Sequence, residues 1–272
     1  MASSGNDNSR TVCVMDASGH LGSALVHLLL LRGYTVHAAL QPHAHGGEFQ
    51  SAEELLPCNN EKLRIFDADP FDYHSITNAL KGCCGLFYCF QPPSDHSTYD
   101  EFMAEIEVRA AHNVLEACAQ TDTMEKKFKL WHALSKTLAE KSAWALAMDR
   151  GINMVTINGG LLMTPDLDIT NPYLKGAAEM YEDGVFVTVD LRFIANAHIC
   201  VFEDVSSYGR YLCFNHVINC SHDADKLAQM LLPSSDSSPP QSWEKTRIYQ
   251  QRISNRKLNN LMEFENDQLL GN

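Results

Sequence analysis

The stretch Thr11–Leu40, TVCVMDASGHLGSALVHLLLLRGYTVHAAL, decides the fold of this 272-residue chain. It opens with an apolar run at Val12–Met15 that predicts a buried strand, followed by a short polar turn. Apolar residues then recur at helical spacing until Arg32-Gly33, where the predicted helix ends. A second strand is predicted at Thr35–Leu40. The order strand, turn, helix, strand is typical of a parallel α/β sheet.

The turn in this unit has three positions spaced three residues apart, and they hold Asp16, Gly19 and Gly22. In nucleotide-binding units, glycines at such positions make the turn tight and let the backbone and the helix N-terminus approach a pyrophosphate. His20 and Leu21, between the two glycines, complete the predicted cofactor-binding turn. Asp16 adds a Cβ and a negative charge where phosphates would lie, which predicts weakened binding. The alternative is a parallel α/β protein that opens in the same way without holding a nucleotide.

The charge balance of the chain restricts its partners. It carries 34 acidic and 21 basic residues, a formal net charge of −13. This leaves no broad basic surface for a phosphate backbone, so we expect no nucleic-acid binding. No apolar run approaches the roughly 20 residues needed to cross a bilayer. The polar residues 1–10 are predicted to be a disordered lead, and we expect a cytoplasmic protein with no membrane partner.

Cysteine and histidine usage indicates neither disulfides nor a metal centre. The nine cysteines are scattered without a CxxC pair, and they are predicted to be buried reduced thiols. His43 and His45 lie in one glycine-bearing loop, but no nearby cysteine or carboxylate set completes a zinc site. We therefore expect no metal.

The rest of the chain continues the alternation of strands and helices. We predict a doubly wound parallel sheet of the Rossmann type in residues 11–160 and a smaller substrate domain in residues 161–272, with a flexible loop at 233–243. The predicted strands are Lys62–Phe66, Leu86–Phe90, Asn153–Asn158 and Phe186–Val189. The predicted helices are Tyr73–Leu80, Glu101–Ala119, Lys129–Asp149, Ala195–Glu203 and Asn255–Met262.

One central strand of this sheet is difficult to place. An alternating fold needs a buried strand between the helices Glu101–Ala119 and Lys129–Asp149, yet only the charged segment Gln120–Phe128 lies there. At about 3.3 Å per residue, this link is just long enough to cross a domain as a poor polar strand. Otherwise the two helices meet as a hairpin and the sheet is one strand short. A further alternative is an internally shortened chain that lacks the strand and loop between Lys126 and Lys129.

Short motifs spread along nearly the whole chain belong to one pattern. They are Gly19 and Gly22, Gly82-Cys83, Asn113–Cys118, Ser135-Lys136, Ala139-Glu140, Trp144, Ile157-Asn158, Ala197–Ile199, Gly209–Tyr211 and Ser254–Leu258. This pattern resembles the plant cinnamoyl-CoA reductase and dihydroflavonol reductase branch of the extended short-chain dehydrogenases. The resemblance is closer to the divergent cinnamoyl-CoA reductase-like proteins than to the enzymes of lignin synthesis.

The resemblance implies an NADP-dependent hydride transfer to a carbonyl or thioester carbon, with the substrate under the C-terminal domain. It also implies a catalytic serine, tyrosine and lysine, the last two placed four residues apart on one helix. Lys136 matches the family lysine, whereas His132 stands at the tyrosine position. The strand that carries the family serine has no counterpart, and Ser135 points to another side of the helix than Lys136.

His132 is the candidate proton donor. Beside Lys136 and a positively charged nicotinamide its protonated form is disfavoured, which predicts a weak acid at neutral pH. The alternative is a helix histidine next to Trp131 that takes no part in catalysis.

The resemblance implies NADP as the cofactor, with NAD as the alternative. The family arginine that would meet the 2′-phosphate aligns with Gln41, which can hydrogen-bond a phosphate but cannot neutralise its charge. Asp69 matches the carboxylate that the family places near the adenine. Arg192 aligns with a family arginine, and the alternative for it is a plain surface charge.

Two functional hypotheses follow. The first is a weak reductase of a phenylpropanoid acyl-CoA or aldehyde, acting on this small molecule as a monomer or weak homodimer. The second is a catalytically silent family member that senses a nucleotide or binds a partner. The second rests on four departures in one site, namely Asp16, Gln41, His132 and the absent serine strand.

Overall fold

The computed structural model describes residues 10–41, 61–89, 109–110, 113–114, 117, 127–131, 137–169, 171–231 and 248–270. The strands are Thr11–Met15 (β1), Thr35–Leu40 (β2), Leu63–Asp67 (β3), Gly85–Tyr88 (β4), Lys127–Trp131 (β5), Asn153–Gly159 (β6), Leu161–Met163 (β7), Val187–Asp190 (β8), Gly209–Cys213 (β9) and His216–Val217 (β10). The α-helices are His20–Leu31 (α1), Tyr73–Leu80 (α2), Thr137–Arg150 (α3), Ala177–Glu182 (α4), Leu191–Glu203 (α5), Ser221–Leu231 (α6) and Arg256–Leu270 (α7), and a 3-10 helix spans Pro172–Gly176.

Seven strands form one parallel sheet in the order β3-β2-β1-β4-β5-β6-β9. The chain leaves β1 in one direction and later continues from β4 in the other, as in a doubly wound sheet, so the predicted Rossmann-type fold is confirmed. In such sheets, ligands bind at the carboxyl ends of the strands beside this switch point. A second, smaller sheet has the order β10-β8-β7, with β10 antiparallel to β8.

Helices cover both faces of the large sheet. On one face α1, α5 and α7 bury Leu25, Ile199 and Leu258 in a common core. On the other face α2 and α3 bury Ile76 and Ala143. β1 is buried along its whole length, because a parallel sheet covered on both sides has no solvent-facing side.

The missing central strand is present as β5, which lies between β4 and β6 with Lys127 paired to Gly85 and to Asn153. The predicted helix Lys129–Asp149 is therefore wrong at its start, since α3 begins only at Thr137. The hairpin alternative is also wrong. Without a strand between them, β4 and β6 would each have a row of backbone N–H and C=O groups that lack hydrogen-bond partners. The two lysines of KFKLW are unusual in such a position, which explains why the segment does not look like a central strand in the sequence.

The other elements differ from prediction mainly in their ends. The ranges predicted for β2 and α2 are confirmed, whereas α5 begins four residues before the predicted Ala195 and α7 continues beyond the predicted Met262. The short elements β7, β9, β10 and α4 are not predicted, because each has too few apolar repeats to show a period. Helix α6 is also missing from the prediction, although Ala224, Leu227 and Leu231 recur at helical spacing. Most of the helix predicted at Glu101–Ala119 lies outside the described residues, as do residues 1–9 and the loop at 233–243.

Residues after 160 contribute to both sheets. Leu161, Phe186, Ile218 and Leu227 form a separate small core against the smaller sheet. β9 and α5, from the same part of the chain, join the large sheet instead. The division into two domains at residue 160 stays a prediction.

The structure also tests the predictions about cysteine burial and membrane-spanning helices. Predicted buried thiols are found at Cys13, Cys83, Cys89, Cys200 and Cys213, whereas the prediction is wrong for Cys84 and Cys220, which are partly exposed. Burial raises the pKa of the Cys83 thiol to about 12, so that it stays protonated at neutral pH. Within the described part of the chain, no helix has the length and apolar character that a membrane span requires.

Candidate functional site

The predicted cofactor residues follow the carboxyl ends of three adjacent strands. The turn at residues 16–19 follows β1, Gln41 directly follows β2, and Asp69 comes two residues after β3. Because these strands are parallel neighbours, the three segments lie at one edge of the sheet. The fold thus brings them to the edge where the β1–β4 switch point opens.

The three positions of the glycine turn have different structural tasks. Asp16 has a φ of 66°, in the left-handed region that favours glycine. A Cβ on Gly22 would lie 2.0 Å from the backbone oxygen of Asp16, so only glycine lets α1 pack this close to β1. Gly19 is the N-cap of α1, and a Cβ there would meet nothing nearer than 3.6 Å outside its chain neighbours. Packing does not require glycine at position 19, whereas close approach of a pyrophosphate would.

The Asp16 side chain lies over this turn. The residue is only 9% exposed. The hydroxyl of Ser18 donates to its Oδ1 at 3.2 Å, and its Oδ2 lies 3.6 Å from the place a Cβ on Gly19 would take. The carboxylate therefore borders the space that the absent side chain of Gly19 leaves open.

His20, the first residue of α1, contacts a second carboxylate. Its Nε2 lies 2.9 Å from Oδ1 of Asp166, and both side chains are largely exposed. Burial alone would raise the pKa of Asp166, but hydrogen bonds from Thr164 and His20 hold it below its usual value. Asp166 belongs to the segment after β7, so this contact joins the glycine turn to the smaller sheet. No sequence pattern indicates it, because the partners are far apart in the chain.

The remaining predicted cofactor residues have simple local surroundings. The Leu21 side chain is buried in the core, so its contribution to ligand binding would come from its backbone N–H at the helix start. Asp69 Oδ1 accepts a hydrogen bond from the Phe71 N–H at 2.8 Å. Gln41 is partly exposed and Arg192 is exposed on α5. Among the residues that the structure describes, no cluster of three or more metal-ligating side chains occurs.

The two predicted catalytic residues, His132 and Lys136, lie outside the described residues. The elements on either side are β5, which ends at Trp131, and α3, which begins at Thr137. In the sequence, both residues therefore come after the carboxyl end of a central strand.

Helix α3 is anchored to the sheet by two polar contacts. Arg210 Nε of β9 donates to the buried Oε1 of Glu140 at 2.6 Å. Trp144 Nε1 donates to Thr156 Oγ1 of β6 at 3.0 Å. These contacts fix the helix that follows Lys136 against β6 and β9. The sequence does not indicate these contacts, although Glu140 and Trp144 both belong to the motifs that carry the family resemblance.

Comparison with known proteins places these features in a family, although no protein-family model matches the chain. The chain is 30% identical to cinnamoyl-CoA reductase 2 of Arabidopsis thaliana over 249 residues, which cover 75% of this chain and 72% of that protein. It is 28% identical to cinnamoyl-CoA reductase 1 of Petunia hybrida over 302 aligned positions, covering 94% and 88%. Those positions exceed the 272 residues of the chain by 30, so the petunia protein has at least 30 residues within the aligned span without a counterpart here.

The fold is also found in solved structures. The crystal structure of vestitone reductase from alfalfa matches with a TM-score of 0.65 over 92% of this chain and 91% of that chain, at 22% identity. An identity this low shows the fold alone. The 30% identity to the Arabidopsis reductase, over 75% of this chain and 72% of that protein, shows that this protein belongs to the cinnamoyl-CoA reductase family.

Proposed function

We propose that the chain is an NADP-dependent reductase that transfers hydride to a phenylpropanoid acyl-CoA or aldehyde, at a low rate. The observation that carries the proposal is the glycine turn at the switch point of a family sheet. Gly22 is required by packing, but Gly19 is not, and the space beside Gly19 is the kind of cradle that a pyrophosphate occupies. A bound nicotinamide dinucleotide would supply the hydride.

The chain's own residues would bind and orient the reactants. The turn and the first N–H groups of α1 would hold the pyrophosphate. Lys136 would hold the nicotinamide ribose, and His132 would donate the proton that the substrate oxygen needs. Without the family serine and tyrosine, several orders of magnitude in rate are lost if these groups act as they do in other enzymes.

From the family resemblance we propose that the protein prefers NADP to NAD. We expect this preference to be smaller than in a protein with arginine at position 41. Gln41 can donate a hydrogen bond to a 2′-phosphate, but a neutral amide does not offset its charge. NADH is therefore expected to compete better here than in a protein with arginine at this position.

The test is turnover. Purified protein, NADPH or NADH, and a panel of cinnamoyl-CoA esters and aldehydes are mixed, and oxidation of the cofactor is followed. Lys136→Ala should abolish the slow oxidation, whereas Lys141→Ala, which removes an exposed lysine on α3, should leave it unchanged. No oxidation above the Lys136→Ala rate would overturn the reductase.

A second function, nucleotide sensing without turnover, is favoured by one observation. The Asp16 carboxylate borders the cradle itself, and a negative charge there weakens dinucleotide binding, so that occupancy of the site would follow the dinucleotide concentration. NADPH binding without oxidation of any substrate in the panel would favour the sensor.

The assembly state is also a proposal. We propose that the protein acts as a monomer or weak homodimer, and sedimentation velocity over a range of concentrations would detect a stable oligomer.

A further inference from the structure

Asp16 occupies a position of the turn whose backbone conformation suits glycine. Its φ of 66° lies where an L side chain is rarely found. Its backbone oxygen lies 2.0 Å from the place that a Cβ on Gly22 would take, so α1 packs closely against the backbone of this residue.

The direction of that side chain is set by its neighbours. Oδ1 accepts the Ser18 hydroxyl at 3.2 Å, and Oδ2 lies 3.6 Å from the position a Gly19 Cβ would take. One carboxylate therefore engages the hydroxyl of the turn and borders the open space beside Gly19. A bound pyrophosphate would need that same space and would benefit from that same hydroxyl.

We propose that the Asp16 carboxylate is a built-in competitor for the pyrophosphate of the dinucleotide, and that it sets the affinity and the release of the cofactor in this chain. This inference rests on the proposed nucleotide function. The proposal assigns the effect to the charge of Asp16 and not to the volume of its side chain, since only the charge repels phosphate at a distance.

The charge sits in a poorly solvated place, which increases its effect. With 9% of the residue exposed, water screens it weakly. Removing the charge should therefore strengthen NADPH binding by roughly ten- to hundredfold. A site with this carboxylate fills only at high dinucleotide concentration and empties quickly, since most changes in affinity appear in the dissociation rate.

The experiment compares wild type, Asp16→Asn and Asp16→Gly in calorimetric titrations with NADPH and with NADH. Asp16→Asn keeps the shape and removes the charge, and it should bind both dinucleotides at least about tenfold more tightly. Asp16→Gly also removes the Cβ and adopts the positive φ without cost, so it should fold and bind at least as tightly as Asp16→Asn. Asp149→Asn is the matched control, because Asp149 lies at the end of α3 that leads into the start of β6, at the opposite edge of the sheet.

The outcomes separate this inference from the proposed function. Equal or weaker binding by both Asp16 variants, with wild type binding normally, would overturn the competitor role and leave the nucleotide function in place. No binding by any of the three proteins would overturn both. If Asp16→Asn fails to fold, Asp16→Gly alone decides, and an affinity within twofold of wild type would contradict the inference.

Discussion

Among single residues, Gly22 is the one on which the packing of the first strand and helix depends most directly. A methyl group at this position would lie 2.0 Å from the Asp16 backbone oxygen, which is not the end of a flexible side chain and cannot move aside. Gly22→Ala should therefore lower the free energy of unfolding by about 1–3 kcal/mol or more, the usual cost of overpacking. Urea unfolding measures this.

Gly176→Ala is the matched control, because its added Cβ would meet only the end of Met180, at 3.9 Å. It should change the stability little. Equal stability of wild type and Gly22→Ala would show that α1 does not press on the turn as described.

A second residue, His37, makes stability depend on pH. It is 3% exposed, and its Nδ1–H donates to the Ala79 carbonyl at 2.7 Å, with Cys83 Sγ 3.3 Å away. Burial lowers the pKa of His37 below 6.5, the nearby Arg64 lowers it further, and the Ala79 bond opposes both. The contribution to stability is complete above pH 6.5 and is lost as the pH falls from there through the lower folded pKa, because the unfolded chain takes up the proton first.

Unfolding in urea at pH 7 and at pH 5.5 tests this dependence. His37→Gln should lose less stability on acidification than wild type, since it has no ring to protonate. His27→Gln, which removes an exposed histidine of α1, is the control and should lose as much as wild type. A His37→Gln protein as acid-sensitive as wild type would contradict the assignment.

Between elements, the contact of Glu140 with Arg210 holds α3 to β9. The Glu140 side chain is 6% exposed and the Arg210 side chain is 54% exposed, so the pair joins a buried carboxylate to a solvent-exposed guanidinium. Arg210→Met should lower the free energy of unfolding by about 1–3 kcal/mol, because it leaves a buried carboxylate without its cation. The double variant Glu140→Met with Arg210→Met should recover part of this loss.

Chemical denaturation of the two single variants and the double variant completes a double-mutant cycle. A double variant no more stable than Arg210→Met would show that the carboxylate does not depend on the arginine.

Elements with long apolar patterns were predictable, and elements set by their neighbours were not. β2 and α2 came out with their predicted ends because TVHAAL and YHSITNAL carry the periods of a strand and a helix. The sequence predicts a helix that includes Lys129–Trp131, because the helical residues of α3 follow closely in the chain. These residues form a strand because they pair with β4 on one side and β6 on the other. The sequence of a single segment does not show which strands will lie beside it.

For the molecule as a whole, β5 decides whether the large sheet is continuous. Its backbone is bonded to β4 on one side and to β6 on the other. We therefore expect amides of residues 127–131 to exchange with deuterium about as slowly as those of β4 and β6. Hydrogen exchange with mass spectrometry measures this, and exchange at the rate of an unstructured peptide would show a sheet divided at β5.

The candidate site was predictable in its positions more than in its contacts. Spacing located Asp16, Gly19 and Gly22 at a strand-to-helix turn, and the structure places that turn at the switch point. The contact of His20 with Asp166 depends on the path of the chain after β7. The direction of the Asp16 carboxylate depends on a φ that no composition rule specifies. Such contacts follow only from the assembled fold.

The central claim is that the crevice beside Gly19 holds a nicotinamide dinucleotide. The most direct measurement is a calorimetric titration of wild type and Gly19→Ala with NADPH and with NADH. The added methyl meets nothing closer than 3.6 Å outside its chain neighbours, so the variant should fold, with a loss of about 1 kcal/mol of stability because alanine is a poorer N-cap than glycine. The methyl places a carbon where the backbone must approach the phosphates. We predict binding by wild type and at least about a tenfold loss of affinity in Gly19→Ala, which corresponds to about 1.4 kcal/mol. Equal affinity of the two proteins, or no binding by wild type, would contradict it.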